Sequence, residues 1–248
     1  MASQPFPLTK PATSSSTSES NVAERVVLMC ASALFAGLAP KDCYQIASCA
    51  SVRKFARDEV LFMQGQPVRN LVLLQTGSVK LTQLSPNGDE VILWMNGESE
   101  AVGVHGEAVN CSHTCSARAM EQCRALSWEY SRIQAVLGEY PQIRKNINQI
   151  LSNNLQELEE RFREVATERV ARRLAFTLLR LLKHVGKKCR EGVQLSLSRE
   201  ELAQMVGTTL FTISRILSKW GEEGLVIPRR EAVLIPNPAR LKHVSGGD

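Results

Sequence analysis

The sequence predicts an α+β chain: a jelly-roll-like β roll, one long helix and a C-terminal winged helix-turn-helix. Three observations carry that prediction. Short alternating apolar runs broken by turns extend from Val52 to about Trp128, an apolar stripe at helical spacing runs from Pro141 to Val165, and between Ser198 and Leu217 two short amphipathic patterns meet at a glycine. At 248 residues there is room for two domains of ordinary size.

Residues 1–22 are rich in Ser, Thr and Pro and predict a disordered tail. The apolar run Val26 to Ala39 is too short to span a bilayer and follows Glu19 and Glu24, where a signal peptide would need positive charge. It reads as an amphipathic helix leading into the roll of a cytosolic protein, with no membrane partner. The runs Glu59–Phe62, Leu71–Leu74, Ser78–Thr82 and Glu90–Trp94 predict strands. Gly65-Gln66-Pro67, Gln75-Thr76-Gly77 and Pro86-Asn87-Gly88-Asp89 predict the turns between them. The roll with its leading helix is assigned to residues 23–140.

Pro141 opens the long helix, assigned to 141–167. Ile143, Ile147, Leu151, Leu155, Leu158, Phe162 and Val165 form its stripe, while Asn153, Asn154, Glu157, Glu159, Glu160 and Arg161 make the rest polar. That pattern predicts a seam between two copies of the chain. A second helix, Arg169 to His184, turns Val170, Leu174, Leu178 and Leu181 inward.

The last segment, 168–248, carries the helix-turn-helix. Leu202, Ala203 and Val206 line the inside of its first helix, Gly207 makes the turn, Thr208 or Thr209 caps the second helix, and Ile213, Ile216 and Leu217 face inward. Small residues stand where the helices cross, as a motif that seats a recognition helix in a DNA major groove requires. From Glu168 onward 15 Lys+Arg stand against 8 Asp+Glu, whereas the rest of the chain has 15 against 17. Basic charge is thus gathered where phosphates need neutralising. Gly224–Ile227 and Ala232–Ile235 flank Pro228-Arg229-Arg230-Glu231 as a β wing with a basic tip. The predicted DNA contacts are Arg199, Thr208, Thr209, Leu210, Phe211, Thr212, Ser214, Arg215, Lys219, Arg229 and Arg230. No Ser-His-Asp spacing, HExxH or phosphate loop supports an enzyme. A regulatory module acting on a protein partner explains the roll but leaves the helix-turn-helix without purpose.

This order of elements resembles the CRP/FNR family of bacterial transcription regulators over everything after about residue 25. The resemblance rests on Leu34-Phe35-Ala36-Gly37-Leu38, Gly77-Ser78-Val79-Lys80-Leu81, Ser85-Pro86-Asn87-Gly88-Asp89-Glu90-Val91 and the helix-turn-helix; Gly207 to Arg215 looks most like the nitrogen-oxide-responsive branch. It implies a cyclic-nucleotide-binding-type sensor domain, a homodimer on a palindromic operator in double-stranded DNA, and RNA polymerase as the partner of an activator. Cyclic AMP is not the implied effector. Val102-Gly103 and His113-Thr114 stand where cyclic-AMP-binding members carry Gly-Glu for the ribose and Arg-Ser for the phosphate, although Gly106-Glu107 lies nearby. Leu158 and Glu159 replace the helix residues that reach the adenine, and Phe211 replaces a base-reading glutamate while Arg215 is retained.

Several effectors stay open. Cys111-Ser112-His113-Thr114-Cys115 offers a thiolate and an imidazole to haem, as a similar Cys-x-His does in the carbon-monoxide-sensing branch. An iron–sulfur cluster would draw on Cys30, Cys43, Cys49 and Cys123. A thiol–disulfide switch would use two of Cys111, Cys115 and Cys123. An unidentified small ligand is the remaining reading.

Overall fold

The computed structural model describes residues 17–104 and 112–246. Helix α1 (Thr17–Ala31) begins inside the segment expected to be a tail, so residues 17–22 are helical. The apolar run from Val26 to Ala39 is not one helix. The Ser32 hydroxyl accepts a hydrogen bond from Leu34 N at 3.3 Å and starts a 3₁₀ turn, Ala33–Phe35. Helix α2 (Pro40–Ser48) follows with its proline in the first turn.

The roll contains β1 (Ser51–Phe55), β2 (Val60–Phe62), β3 (Asn70–Thr76), β4 (Val79–Leu84), β5 (Glu90–Asn96), β6 (Ala101–Val102), β7 (Ser116–Ala119) and β8 (Cys123–Glu129). Its pairings are all antiparallel and form two four-stranded sheets, β1-β8-β3-β6 and β2-β7-β4-β5. Strand β3 explains its own unbroken apolar run. Val72 and Leu74 pack between the sheets against Leu81, Val102 and Ala117, whereas Leu73 faces the helices with Leu126 and Trp128. Trp128 donates from Nε1 to Ile46 O at 2.9 Å and packs on Phe35, which fixes α2 and the 3₁₀ turn to the roll.

Helix α3 (Tyr130–Glu139), which had no distinct signal in the sequence, leads into α4 (Pro141–Thr167). The stripe on α4 does two jobs. Ile143 and Ile147 are buried inside the protomer against Leu34, Ile133 and Leu137, so they belong to the roll's own core and not to an intermolecular seam. Asn146 reinforces this packing by donating to Leu34 O and Ala36 O, both at 2.9 Å. Leu151 is half-buried. Leu155, Leu158, Phe162 and Val165 are exposed among the described residues at 58%, 44%, 77% and 56%.

The C-terminal segment comprises α5 (Val170–His184), β9 (Lys187–Cys189), β10 (Gly192–Leu195), α6 (Arg199–Val206), α7 (Leu210–Glu222), β11 (Ile227–Arg229), β12 (Ala232–Ile235) and α8 (Pro238–Ser245). Its strands form one sheet, β11-β12-β10-β9. Leu174, Leu178, Leu202, Val206, Ile213, Leu217 and Ile235 fill its core, and Ile92 and Met95 of β5 are part of the same cluster. The segment is therefore docked on the roll. No helix among the described residues is long and apolar enough to cross a membrane.

Candidate nucleic-acid interface and effector cavity

Local chemistry builds the helix pair. Ser198 and Glu201 form a capping box at the start of α6, each side chain bonding the other's backbone N–H, at 3.1 and 2.9 Å. Gly207 ends α6 at φ 68° and ψ 56°, the left-handed conformation in which a glycine carries no Cβ penalty. Thr209, not Thr208, caps α7 by accepting from Thr212 N. Arg173 on α5 donates to Val206 O and Gly207 O at 3.1 and 3.2 Å, holding the turn to the domain.

Helix α7 buries Ile213, Leu217 and Trp220 and exposes Phe211, Arg215 and Lys219. Thr209 and Leu210 are also exposed, while Thr208, Thr212 and Ser214 are half-buried beside them. The outer side of α7 thus presents one contiguous set of the predicted contacts. Arg199 sits apart in the first turn of α6, half-buried. At the wing, Ile227–Arg229 pairs with Ala232–Leu234, and Arg230 and Glu231 make the turn. Arg230 is exposed, whereas Arg229 is held by Glu191 and Gln194, both at 2.8 Å. Those partners lie on or next to the β9–β10 hairpin, which the sequence reading missed; Cys189 is an exposed residue of its outer strand.

The docking of this domain brings together residues with no sequence signal for it. Lys80 on β4 pairs with Glu201 at 3.0 Å, with both side chains largely buried. Burial pushes the Glu201 carboxyl up, but the Ser198 N–H and the Lys80 ammonium outweigh it and hold it below the usual carboxylate range. His184 Nδ1 meets Glu100 Oε1 at 2.6 Å, and that hydrogen bond raises the imidazole above its ordinary range. Arg161 on α4 donates to Ile92 O, Leu93 O and Met205 O, tying the long helix to β5 and α6 at once.

A cavity of about 650 Å³ opens between the roll, α4 and α5. Ala31 to Leu34, Trp94, Asn96, Thr114, Asn153 and Asn154 are among its walls. Its cations among the described residues are Arg161, Arg180 and His184, and each is already engaged. Arg161 is bound to carbonyls, His184 to Glu100, and Arg180 to Glu164 at 2.6 and 2.8 Å through a two-pronged contact. A phosphate entering here meets no unengaged cation among those residues.

The metal-ligand sets expected from sequence do not converge. Cys111 lies outside the described residues, as does Gly106-Glu107. The His113 ring is buried and stacked on Phe62, with centroids 3.6 Å apart and planes 8° apart, and it is not among the cavity's lining residues. His113 therefore does not offer its imidazole to a haem in this cavity, and His184, which does line it, is engaged through Nδ1 by Glu100. Cys123 is buried between the sheets, where its thiol donates to Ser78 O and Glu121 O. Cys43 is instead in the helix-side core, and no group of three or more His, Cys, Asp or Glu among the described residues is arranged to hold a metal ion. Cys30, Cys43, Cys49 and Cys123 thus do not form a cluster site. Burial raises both the Cys115 and Cys123 thiols, which suppresses the reactive thiolate that a switch at these positions requires.

Residues 172–244 match the family model described as the Crp-like helix-turn-helix domain, and residues 52–140 match the cyclic nucleotide-binding domain. A CRP-like cAMP-activated global transcriptional regulator of Mycobacterium tuberculosis is 24% identical over 210 residues, covering 84% of this chain and 94% of that protein. The transcriptional activator protein Anr of Pseudomonas protegens is 25% identical over 197 residues, 79% of this chain and 80% of Anr. The structure of FixK2 from Bradyrhizobium japonicum shares the fold at a TM-score of 0.71 and 19% identity, covering 80% of this chain and 98% of that one.

Proposed function

Because the chain belongs to the CRP/FNR family of transcription regulators, we propose that it acts in the cytoplasm as a homodimer, reads a palindromic operator and changes affinity when a small uncharged ligand fills the cavity. The observation that carries the DNA reading is the outer side of α7, where Phe211, Arg215 and Lys219 stand exposed beside a wing ending in Arg230. Arg215 bonds a guanine edge with its two-pronged fork, and Phe211 packs on the groove where a glutamate would accept from cytosine. RNA polymerase is the partner through which a bound dimer acts on transcription, and no catalytic step belongs to the chain.

The ligand reading rests on the engaged cations and on the amides of Asn96, Asn153 and Asn154 around the cavity. A cyclic phosphate needs an unengaged cation and an iron–sulfur cluster a group of converging thiolates, and the described residues present neither there. Selection from a randomised DNA pool tests the core of the proposal. Wild type is expected to recover a palindrome with half-sites about 34 Å apart, one helical turn. Arg215→Ala should relax one symmetric G·C pair by about 1–3 kcal/mol. Identical sequence logos for the two proteins would mean that Arg215 reads no base.

A further inference from the structure

The first turn of α7 offers a base no carboxylate, amide or guanidinium. It runs Leu210-Phe211-Thr212-Ile213 and contains no acidic residue. The hydroxyls beside it are spent on the cap, where Thr209 Oγ1 accepts from Thr212 N at 3.3 Å and lies 3.0 Å from Thr212 Oγ1. Phe211 is 83% exposed, the highest value among the described large apolar side chains. At about 100° per residue from the buried Ile213, Phe211 and Arg215 each lie within about 20° of the outermost line of the helix. Leu210 is also exposed but sits about 100° round from Phe211, toward the buried side. Arg215 and Lys219 follow Phe211 along the exposed face, so the ring stands at the head of a row of cations. An aromatic ring in that setting fits a polyanion that carries apolar spots of its own. On the base edges of the DNA major groove, that spot is the thymine C5 methyl.

We propose that Phe211 is a specificity-determining residue that reads thymine through its C5 methyl, an inference that rests on α7 being the helix that enters the groove. The ring packs on the methyl, and the contact takes both out of water. It cannot accept from the cytosine N4 amine, so C·G in place of T·A loses the methyl and leaves a donor unpaired. Four residues of helix rise about 6 Å and one base step about 3.4 Å, so the thymine lies about two steps from the guanine that Arg215 bonds. Two-fold symmetry places one such thymine in each half-site.

The test replaces thymines of the operator that selection recovers with deoxyuridine, which removes the C5 methyl and keeps every hydrogen-bonding group of the base. Affinities are measured by fluorescence anisotropy for the full chain as wild type, Phe211→Ala and Leu210→Ala. Replacing the symmetric pair of thymines about two steps from the guanine should weaken wild type about fifteenfold, from about fourfold for each methyl removed from a contact. The same exchange should change Phe211→Ala by less than about twofold, and Leu210→Ala by as much as wild type. A scan of every thymine with no loss beyond about twofold in wild type would overturn the assignment. So would an equal penalty in Phe211→Ala, or a penalty abolished by Leu210→Ala, since either gives the methyl to another residue. Failure to recover any palindrome would refute entry of α7 into the groove, and this role with it, whereas a clear palindrome indifferent to deoxyuridine refutes the role of Phe211 alone.

Discussion

Phe162 gives the sharpest test of the dimer. It is 77% exposed among the described residues. Full burial of such a side chain contributes about 1.5–3 kcal/mol, so about three-quarters of that is available in each protomer. Two-fold symmetry counts the residue twice, giving about 3 kcal/mol lost per dimer in Phe162→Ala, or roughly a hundredfold rise in the dissociation constant. Association also costs about 4–15 kcal/mol in lost freedom, which the four exposed stripe residues offset only narrowly, so one anchor has a large effect. The substitution lies outside the protomer's core and should leave its thermal unfolding nearly unchanged once dilution has separated the protomers. Sedimentation equilibrium across a dilution series measures the constant. A Phe162→Ala value within about threefold of wild type would refute the reasoning and move the seam off α4.

Three further outcomes follow from named contacts. Arg230→Ala at the wing tip should weaken binding to all DNA sequences alike and reduce the salt slope by about one, as read by fluorescence anisotropy against salt concentration; an unchanged slope would remove Arg230 from the phosphate contacts. The Glu100 hydrogen bond raises the His184 pKa in the folded protein, so its contribution is full below the unfolded value of about 6.5 and is lost as pH rises through the folded value. The melting-temperature gap between wild type and His184→Gln should therefore shrink with rising pH, and a gap constant from about pH 5.5 to 8.5 would contradict the bridge. A Cβ on Gly97 would overlap the His184 backbone carbonyl, so Gly97→Ala should lift the DNA-binding domain off β5 and open the part of its core that Ile92 and Met95 complete. X-ray scattering should show a larger radius of gyration, and an unchanged profile would exclude this close approach as a determinant of docking.

The sequence by itself determined the elements whose chemistry is local. The Ser198–Glu201 capping box, Gly207 in its left-handed turn and the Thr209 cap are settled within a few residues, and they define the helix-turn-helix. Strands β2 to β5 were legible in the same way, whereas β1, β6, β7 and β8 were not read individually, and Gln75 and Thr76 of an expected turn belong to β3. The β9–β10 hairpin was not legible, because Lys187 to Cys189 are all exposed and carry no apolar pattern. Only the tertiary structure decided what covers each apolar face. One spacing along α4 serves the roll's core at Ile143 and Ile147 and leaves an open stripe from Leu155 onward. Ile92 reads as an ordinary strand residue and Met95 lies just past the expected strand, yet both complete the core of the DNA-binding domain. Lys80 with Glu201 and His184 with Glu100 meet only after packing. A side-chain period specifies direction out of a strand or helix, and the partner reached in that direction is set by the fold as a whole.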